Sequence, residues 1–219
     1  LGLLLVYRFG AQVVLPGIDA SQLSNLASQT DSGLLGLLNA FTGGAFSNAS
    51  VFALGIMPYI SASIVVQLMG IAVPYLQKLQ KEGESGRRKI NQITRWLTIA
   101  ITLVQGPGYI YNLFATLPSS AFLLGSDVTF VASSVIILAT GTIFAMWLGE
   151  KITDKGIGNG ISLLIMVGII ATLPMSFVQE WISRVTESNG GMIMILIELV
   201  IWFVVILASV MLVMAVRQI

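Results

Sequence analysis

The sequence predicts an all-α polytopic membrane protein with six transmembrane helices. Of its 219 residues, 56% are hydrophobic and only 10% charged, and the mean hydropathy is +0.91, values outside the range of soluble domains. The apolar residues fall in runs near the length needed to cross about 30 Å of hydrocarbon. Basic residues gather in alternate loops between those runs, as expected of a chain that threads a membrane back and forth. There is no cysteine and no histidine, so thiol catalysis, disulfides and histidine-based metal or proton-relay chemistry are absent by composition. A formal net charge of +1 points to no nucleic-acid or acidic partner; the placement of the charges is what informs.

The first apolar run, residues 1–16, contains Arg8 and Gln12 and is short for a span. Leu1 opens inside this run and Ile219 closes directly after another, so a piece of a longer protein is expected. Pro16-Gly17 ends the run, and a loop rich in Ser, Asn, Gln, Asp and Gly continues to Ser50. Residues 34–46 within it are apolar but too few to span. Two readings are open: a re-entrant segment, or an amphipathic helix lying on the membrane surface.

The second span, about residues 51–74, is an apolar helix with polar residues at membrane depth. Gly55 and Pro58 are expected to loosen its hydrogen-bond ladder, which a bilayer tolerates only where protein or a water-filled cavity satisfies the freed carbonyls. Ile56, Ile60 and Ile64 recur every four residues and stack along one stripe. Ser61, Ser63 and Gln67 need partners inside protein. Such a helix suits one wall of a conduit, and equally a packed helix–helix contact.

Lys78, Lys81, Arg87, Arg88, Lys89 and Arg95 crowd the loop that follows, which places it on the cytoplasmic side. The third span, about 93–114, contains Gln105-Gly106-Pro107-Gly108, so its far half is expected to be kinked or unwound. An outer loop leads to the fourth span, about 128–149, and Glu150-Lys151-Ile152-Thr153-Asp154-Lys155 forms a second inner loop. Three glycines around Asn159 then suit a tight turn with the asparagine near a helix N-cap. No parallel-sheet unit surrounds them, so they are not a dinucleotide fingerprint. The fifth span, about 160–178, gives way to an outer loop, and the sixth runs to Arg217 inside. With the N-terminus inside, every Lys and Arg falls inside except Arg184 and the intramembrane Arg8. Glu198, near the outer end of the sixth span, reads as structural. Residues 1–178 are expected to form one half of a larger body and 179–219 the start of the next.

Several stretches carry a specific resemblance. They are residues 51–67, Lys81-Glu82-Gly83-Glu84-Ser85-Gly86-Arg87-Arg88-Lys89-Ile90, Met146-Trp147-Leu148-Gly149-Glu150, and Gly156-Ile157-Gly158-Asn159-Gly160-Ile161-Ser162. Tyr7-Arg8-Phe9-Gly10, Leu15-Pro16-Gly17-Ile18-Asp19 and Phe41-Thr42-Gly43-Gly44-Ala45 support them. Together they resemble the bacterial SecY family, the channel subunits of the protein-conducting Sec translocon. The resemblance implies one half, plus the sixth span, of a ten-span inverted-repeat channel in the bacterial inner membrane. Its function would be to pass unfolded polypeptides across the membrane and release signal or transmembrane helices sideways into lipid.

The same resemblance assigns residues. Ile56, Ile60, Ile161 and Ile165 match a ring of aliphatic side chains at the pore waist, where packed hydrocarbon leaves ions and water without hydration partners. Leu35-Gly36-Leu37-Leu38-Asn39-Ala40-Phe41-Thr42-Gly43-Gly44-Ala45-Phe46 match the plug, a short helix outside the ring, with Gly43-Gly44 as its hinge. Ser61 and Gln105 match polar positions of the lateral gate. The implied partners are SecE and SecG, a SecA motor or a ribosome on the cytoplasmic side, signal peptides, nascent chains and membrane lipid. No cofactor, metal or directly bound nucleic acid is implied.

Two other function classes are weighed. Half of a secondary transporter for a small solute would also use broken helices, but it needs a polar midplane site where this chain has aliphatic residues. An intramembrane hydrolase lacks a base for any serine nucleophile, since there is no His or Cys and no lysine lies within a span.

Overall fold

The computed structural model describes residues 2–23, 33–123, 128–156, 158–186 and 191–216. Among them the regular structure is helical, with eight α-helices: α1 Gly2–Gly10, α2 Gly33–Phe41, α3 Met57–Ala72, α4 Pro74–Lys81, α5 Glu84–Thr116, α6 Val128–Asp154, α7 Gly160–Thr186 and α8 Gly191–Val216. Three of these, over Val128–Asp154, Gly160–Ser183 and Ile193–Ala215, are long and apolar enough to cross a membrane. The pair Met57–Ala72 and Pro74–Lys81, bent by 101°, makes a fourth if taken as one broken span. Of the six expected spans, the remaining two correspond to α1, which is short, and α5, whose apolar run is interrupted by polar residues.

The chain divides into two compact units, Leu1–Thr172 and Leu173–Ile219, with the boundary inside α7. In the first, α5 packs on α3, α4 and α6. Two apolar clusters hold it together. One gathers Leu15, Ile18, Phe46, Ile110, Leu113, Phe130 and Leu138; the other gathers Tyr7, Phe52, Ile56, Leu148, Ile152 and Leu164. Lipid tails are as apolar as these side chains, so close backbone approach and fitted packing supply the association. Gly141 of α6 lies directly against the Val51 carbonyl, and no side chain fits between them. In the second unit the described face of α8 is largely exposed.

The element boundaries depart from expectation in five places, each for a local reason. The helix of the second span begins at Met57, with residues 51–56 in turns. Gly55 takes φ +51 just before it, and Pro58 sits in the first turn, where its missing N–H removes no intrahelical bond. These two residues start the helix; they do not loosen its middle. Pro74 holds Val73 extended, at φ −103 and ψ 115, which stops α3 and turns the chain into α4.

The basic loop is itself helical. Lys78 and Lys81 lie in the last turn of α4, and Arg87, Arg88, Lys89 and Arg95 lie in the first turns of α5. Only Glu82-Gly83 turns between them, with Gly83 at φ +72. Third, α5 runs unbroken through Gln105-Gly106-Pro107-Gly108 to Thr116, and Gly106 packs against Val135. Fourth, α6 continues through Glu150 to Asp154, so most of the second inner loop is helix. Fifth, α7 carries Pro174 internally and extends to Thr186, where an outer loop was expected. Hydropathy marks where a helix is greasy and does not mark where it stops.

The first run is a nine-residue helix followed by irregular chain. Its continuation makes isolated antiparallel bridges, Val14 with Ser50 and Ile18 with Phe122. Arg217 and the residues at 124–127 lie outside the described residues. The contact at Gly141 yields a direct expectation. Replacing Gly141 with Ala drives a methyl into the Val51 carbonyl and destabilises the folded protein by about 1–3 kcal/mol, measurable as an earlier midpoint in detergent-based unfolding. An unshifted midpoint would show that this contact is not maintained.

Candidate functional site

The four isoleucines come from two helix starts that face each other. Ile56 is the residue before α3, at φ −96 and ψ −4, and Ile60 lies one turn into that helix. Ile161 and Ile165 occupy the first two turns of α7. All four belong to one apolar cluster with Tyr7, Phe52, Leu148 and Leu164. They are not equivalent within it. Ile56 is buried, with 4% of its surface exposed. Ile60, Ile161 and Ile165 are partly exposed and line a cavity of about 740 Å³.

Ile64 and Tyr59 add to the apolar wall of that cavity, and its other walls are polar. Ser63, Gln67, Asn91, Arg95, Glu150, Asn159 and Ser162 contribute to its lining. Gln67 donates to the Ser63 hydroxyl at 3.1 Å, one turn away. Hydrocarbon therefore closes one part of a cavity whose other walls can hydrogen-bond water.

The α7 pair is placed by local bonds. The Asn159 side-chain oxygen accepts from the backbone N–H of Ile161 at 3.1 Å and of Ser162 at 3.3 Å, the N-cap role its position suggested. The Thr153 hydroxyl accepts from the Gly160 N–H at 2.9 Å and donates to the Gly149 carbonyl at 2.9 Å, so the end of α6 fixes the start of α7. Gly149 also makes room for Ile161: a β-carbon there would lie 2.6 Å from the isoleucine side chain.

Arg95 and Glu150 form a two-pronged ion pair between α5 and α6 at the edge of the cavity. Arg95 Nε donates to one carboxylate oxygen at 3.0 Å and the guanidinium Nη2 to the other. Sequence reasoning placed Arg95 with the loop charges and Glu150 in another loop. No local pattern links two residues this far apart in the chain.

Residues 35–46, which the resemblance matches to the plug and which are here called the lid, form the short helix α2 followed by tight turns. Gly43 and Gly44 both take left-handed backbone, at φ +64 and +86. The Thr42 hydroxyl donates to the Leu38 carbonyl at 3.0 Å and accepts from the Phe46 N–H at 3.2 Å. Asn39 accepts from the Ser47 N–H at 3.0 Å. Three other helices meet this turn. Arg8 of α1 donates to the Gly43 carbonyl at 2.7 Å, Tyr109 of α5 donates to the Phe46 carbonyl at 2.8 Å, and Gly168 of α7 lies against Gly43.

Ser61 and Gln105 line a second cavity, of about 330 Å³, together with Leu35, Leu38, Thr42 and Phe46 of the lid. Among the described residues no direct hydrogen bond joins the two. Of the remaining assigned residues, Lys78, Lys81, Arg87, Arg88 and Lys89 sit on the α4–α5 hairpin, away from the isoleucines in sequence and on separate helices.

With this geometry in view, the family model described as SecY matches residues 50–219. The chain is 42% identical over 205 residues to the protein translocase subunit SecY of Escherichia coli (strain K12), covering 94% of this chain and 46% of that protein. It is 47% identical over 180 residues to the protein translocase subunit SecY of Pseudomonas aeruginosa, covering 82% of this chain and 40% of that protein. It is 44% identical over 182 residues to the corresponding subunit of Streptomyces scabiei, covering 80% and 42% respectively. The chain thus spans about half the length of the curated relatives it matches.

The cap that sets α7 is open to a test. Asn159→Ala leaves the first N–H groups of α7 without their acceptor and costs about 1 kcal/mol of stability, whereas Asn159→Asp retains the cap; comparing the two unfolding midpoints checks this, and equal midpoints for Ala and Asp would contradict it.

Proposed function

From the premise that this chain belongs to the SecY family, we propose that it supplies the amino-terminal half of a protein-conducting channel. In this reading residues 1–178 form that half and 179–219 begin the other. The observation that carries it is the isoleucine wall. Ile60, Ile161 and Ile165, from two different helices, present hydrocarbon to one partly polar cavity, and the lid turn lies beside Gly55, just before α3, and against Gly168 of α7.

Such a wall suits a translocating polypeptide. Side chains that dewet a constriction exclude ions, yet they can surround any amino-acid side chain without binding it. Ile56 is buried in the same cluster and does not line the cavity, so its part in the ring is the supporting one. Ser61 and Gln105, facing one cavity beside the lid, suit the lateral gate. Interhelical polar contacts in membranes contribute roughly 0.6 kcal/mol each on average, weak enough to be exchanged when signal peptides and nascent transmembrane helices pass into lipid.

In the complete protein the partners would be SecE and SecG, with a SecA motor or a ribosome at the cytoplasmic face. The basic residues Lys78, Lys81, Arg87, Arg88 and Lys89 on the α4–α5 hairpin would face that side. The protein is a multi-pass membrane protein, and its proposed site is the bacterial inner membrane with the N-terminus cytoplasmic. The chain performs no catalysis in this scheme. A half-transporter for a small solute finds no support in the aliphatic wall or in the names of the relatives.

The test is made in the complete channel. Replacing Ile60, Ile161 and Ile165 together with serine raises ion leak through the resting channel by roughly an order of magnitude, because a wetted constriction no longer excludes ions. It also relaxes the requirement for an intact signal sequence. Conductance recording and export of a reporter with a defective signal measure the two effects; parental leak and parental selectivity in the triple variant would refute the ring.

A further inference from the structure

Arg8 is a cation on a helix read as membrane-embedded, and among the described residues no carboxylate lies within ion-pair distance of it. Charged groups at that depth persist when their donors are used inside protein. Its Nη1 is used, donating to the Gly43 carbonyl at 2.7 Å. Tyr109, a residue 5% exposed, uses its hydroxyl in the same way on the Phe46 carbonyl at 2.8 Å. Both acceptors belong to the irregular turns that follow α2, and the Phe46 carbonyl also accepts from the Ala49 N–H at 3.3 Å. A β-carbon at Gly43 would lie 2.9 Å from Arg8 Nη1 and 2.8 Å from Gly168 Cα. The approach of Arg8 therefore depends on glycine at that position.

We propose that Arg8 and Tyr109 are positioning residues that latch the lid shut from two different helices, an inference that rests on the lid reading given above. The latches differ in what releases them. Tyr109 rides on α5, the helix that also carries Gln105 of the gate, so displacing α5 withdraws that donor. Arg8 rides on α1 and holds the glycine turn whatever α5 does. Because both bonds are made to backbone carbonyls, the latch is indifferent to most side-chain changes in the lid itself.

The experiment reads lid position directly. In the complete protein carrying Ser47→Cys as its one thiol, a membrane-impermeant maleimide is applied from the outer face and the labelling rate is measured in the resting state. Ser47 is 6% exposed, so the parent labels slowly. Tyr109→Phe, which removes only the hydroxyl, raises the rate about threefold. Arg8→Met, which keeps an apolar stem, raises it about tenfold, and Arg8→Lys, which retains a charged donor, restores part of the protection. An unchanged rate in Tyr109→Phe or in Arg8→Met overturns the role of that residue, and Arg8→Lys labelling as fast as Arg8→Met overturns the hydrogen bond as the cause. If Arg8→Met fails to assemble, Arg8→Lys still decides, since it shifts the donor away from the guanidinium Nη1 position that reaches the Gly43 carbonyl and must label faster than the parent; a parental rate in it overturns the role of Arg8. The readout needs no polypeptide in transit and no ion flow, so it stands or falls separately from the ring.

Discussion

Irregular backbone within a membrane protein survives only if its polar groups are bonded inside the protein, since lipid offers them nothing. In this chain the constraint bears hardest on the stretch between α2 and α3. Thr42, Phe46, Ser47, Ala49, Ser50, Phe52 and Ile56 are all buried there, outside regular helix. Its amides and carbonyls are taken up one by one. Thr42 and Asn39 bond back onto their own turn, and the Ser50 hydroxyl accepts from the Phe52 N–H. Leu15 donates to the Ala49 carbonyl and Val51 to the Val13 carbonyl, while Arg8 and Tyr109 arrive from outside. The segment can be non-helical because it is so thoroughly partnered.

This bonding also joins the two apolar clusters. Ala45 contributes to the cluster that holds the isoleucines, and Phe46, its immediate neighbour, contributes to the other. A lid anchored in both cannot leave without disturbing both. Phe46 adds an edge-on contact to Tyr109, with ring centroids 4.9 Å apart, an arrangement aromatic rings favour. The turns after α2, helix α5 and the start of α3 are thereby parts of one packing problem.

The isoleucine wall depends on a different device. Ile161 and Ile165 point where they do because Gly149 and Gly160 let α6 and α7 approach closely and because Asn159 and Thr153 fix the first turn of α7. Arg95 and Glu150 tie α5 to α6 beside it. The glycines and the cap lie within a short stretch of sequence and could be read there. The ion pair could not, because its members are brought together only by the antiparallel packing of two helices.

The sequence by itself determined that the chain is a helical membrane protein, where its greasy runs lie, that Ile161 and Ile165 lie one turn apart on one helix face, and that Asn159 caps α7. Each of these is a local property: hydropathy, four-residue spacing and turn chemistry act within a few residues of where they are written. Helix ends were poorly legible, as α5 beginning at Glu84 and α7 continuing past Pro174 to Thr186 make clear, because polar helix and polar loop look alike to a hydropathy reading. Only the tertiary structure decided that Ile56 is buried while Ile60, Ile161 and Ile165 line the cavity, that Arg95 pairs with Glu150, and that Arg8 and Tyr109 converge on the lid. Those facts depend on how helices distant in sequence are docked, and docking in lipid is settled by close packing and hydrogen bonds between helices, for which no single segment carries a signature.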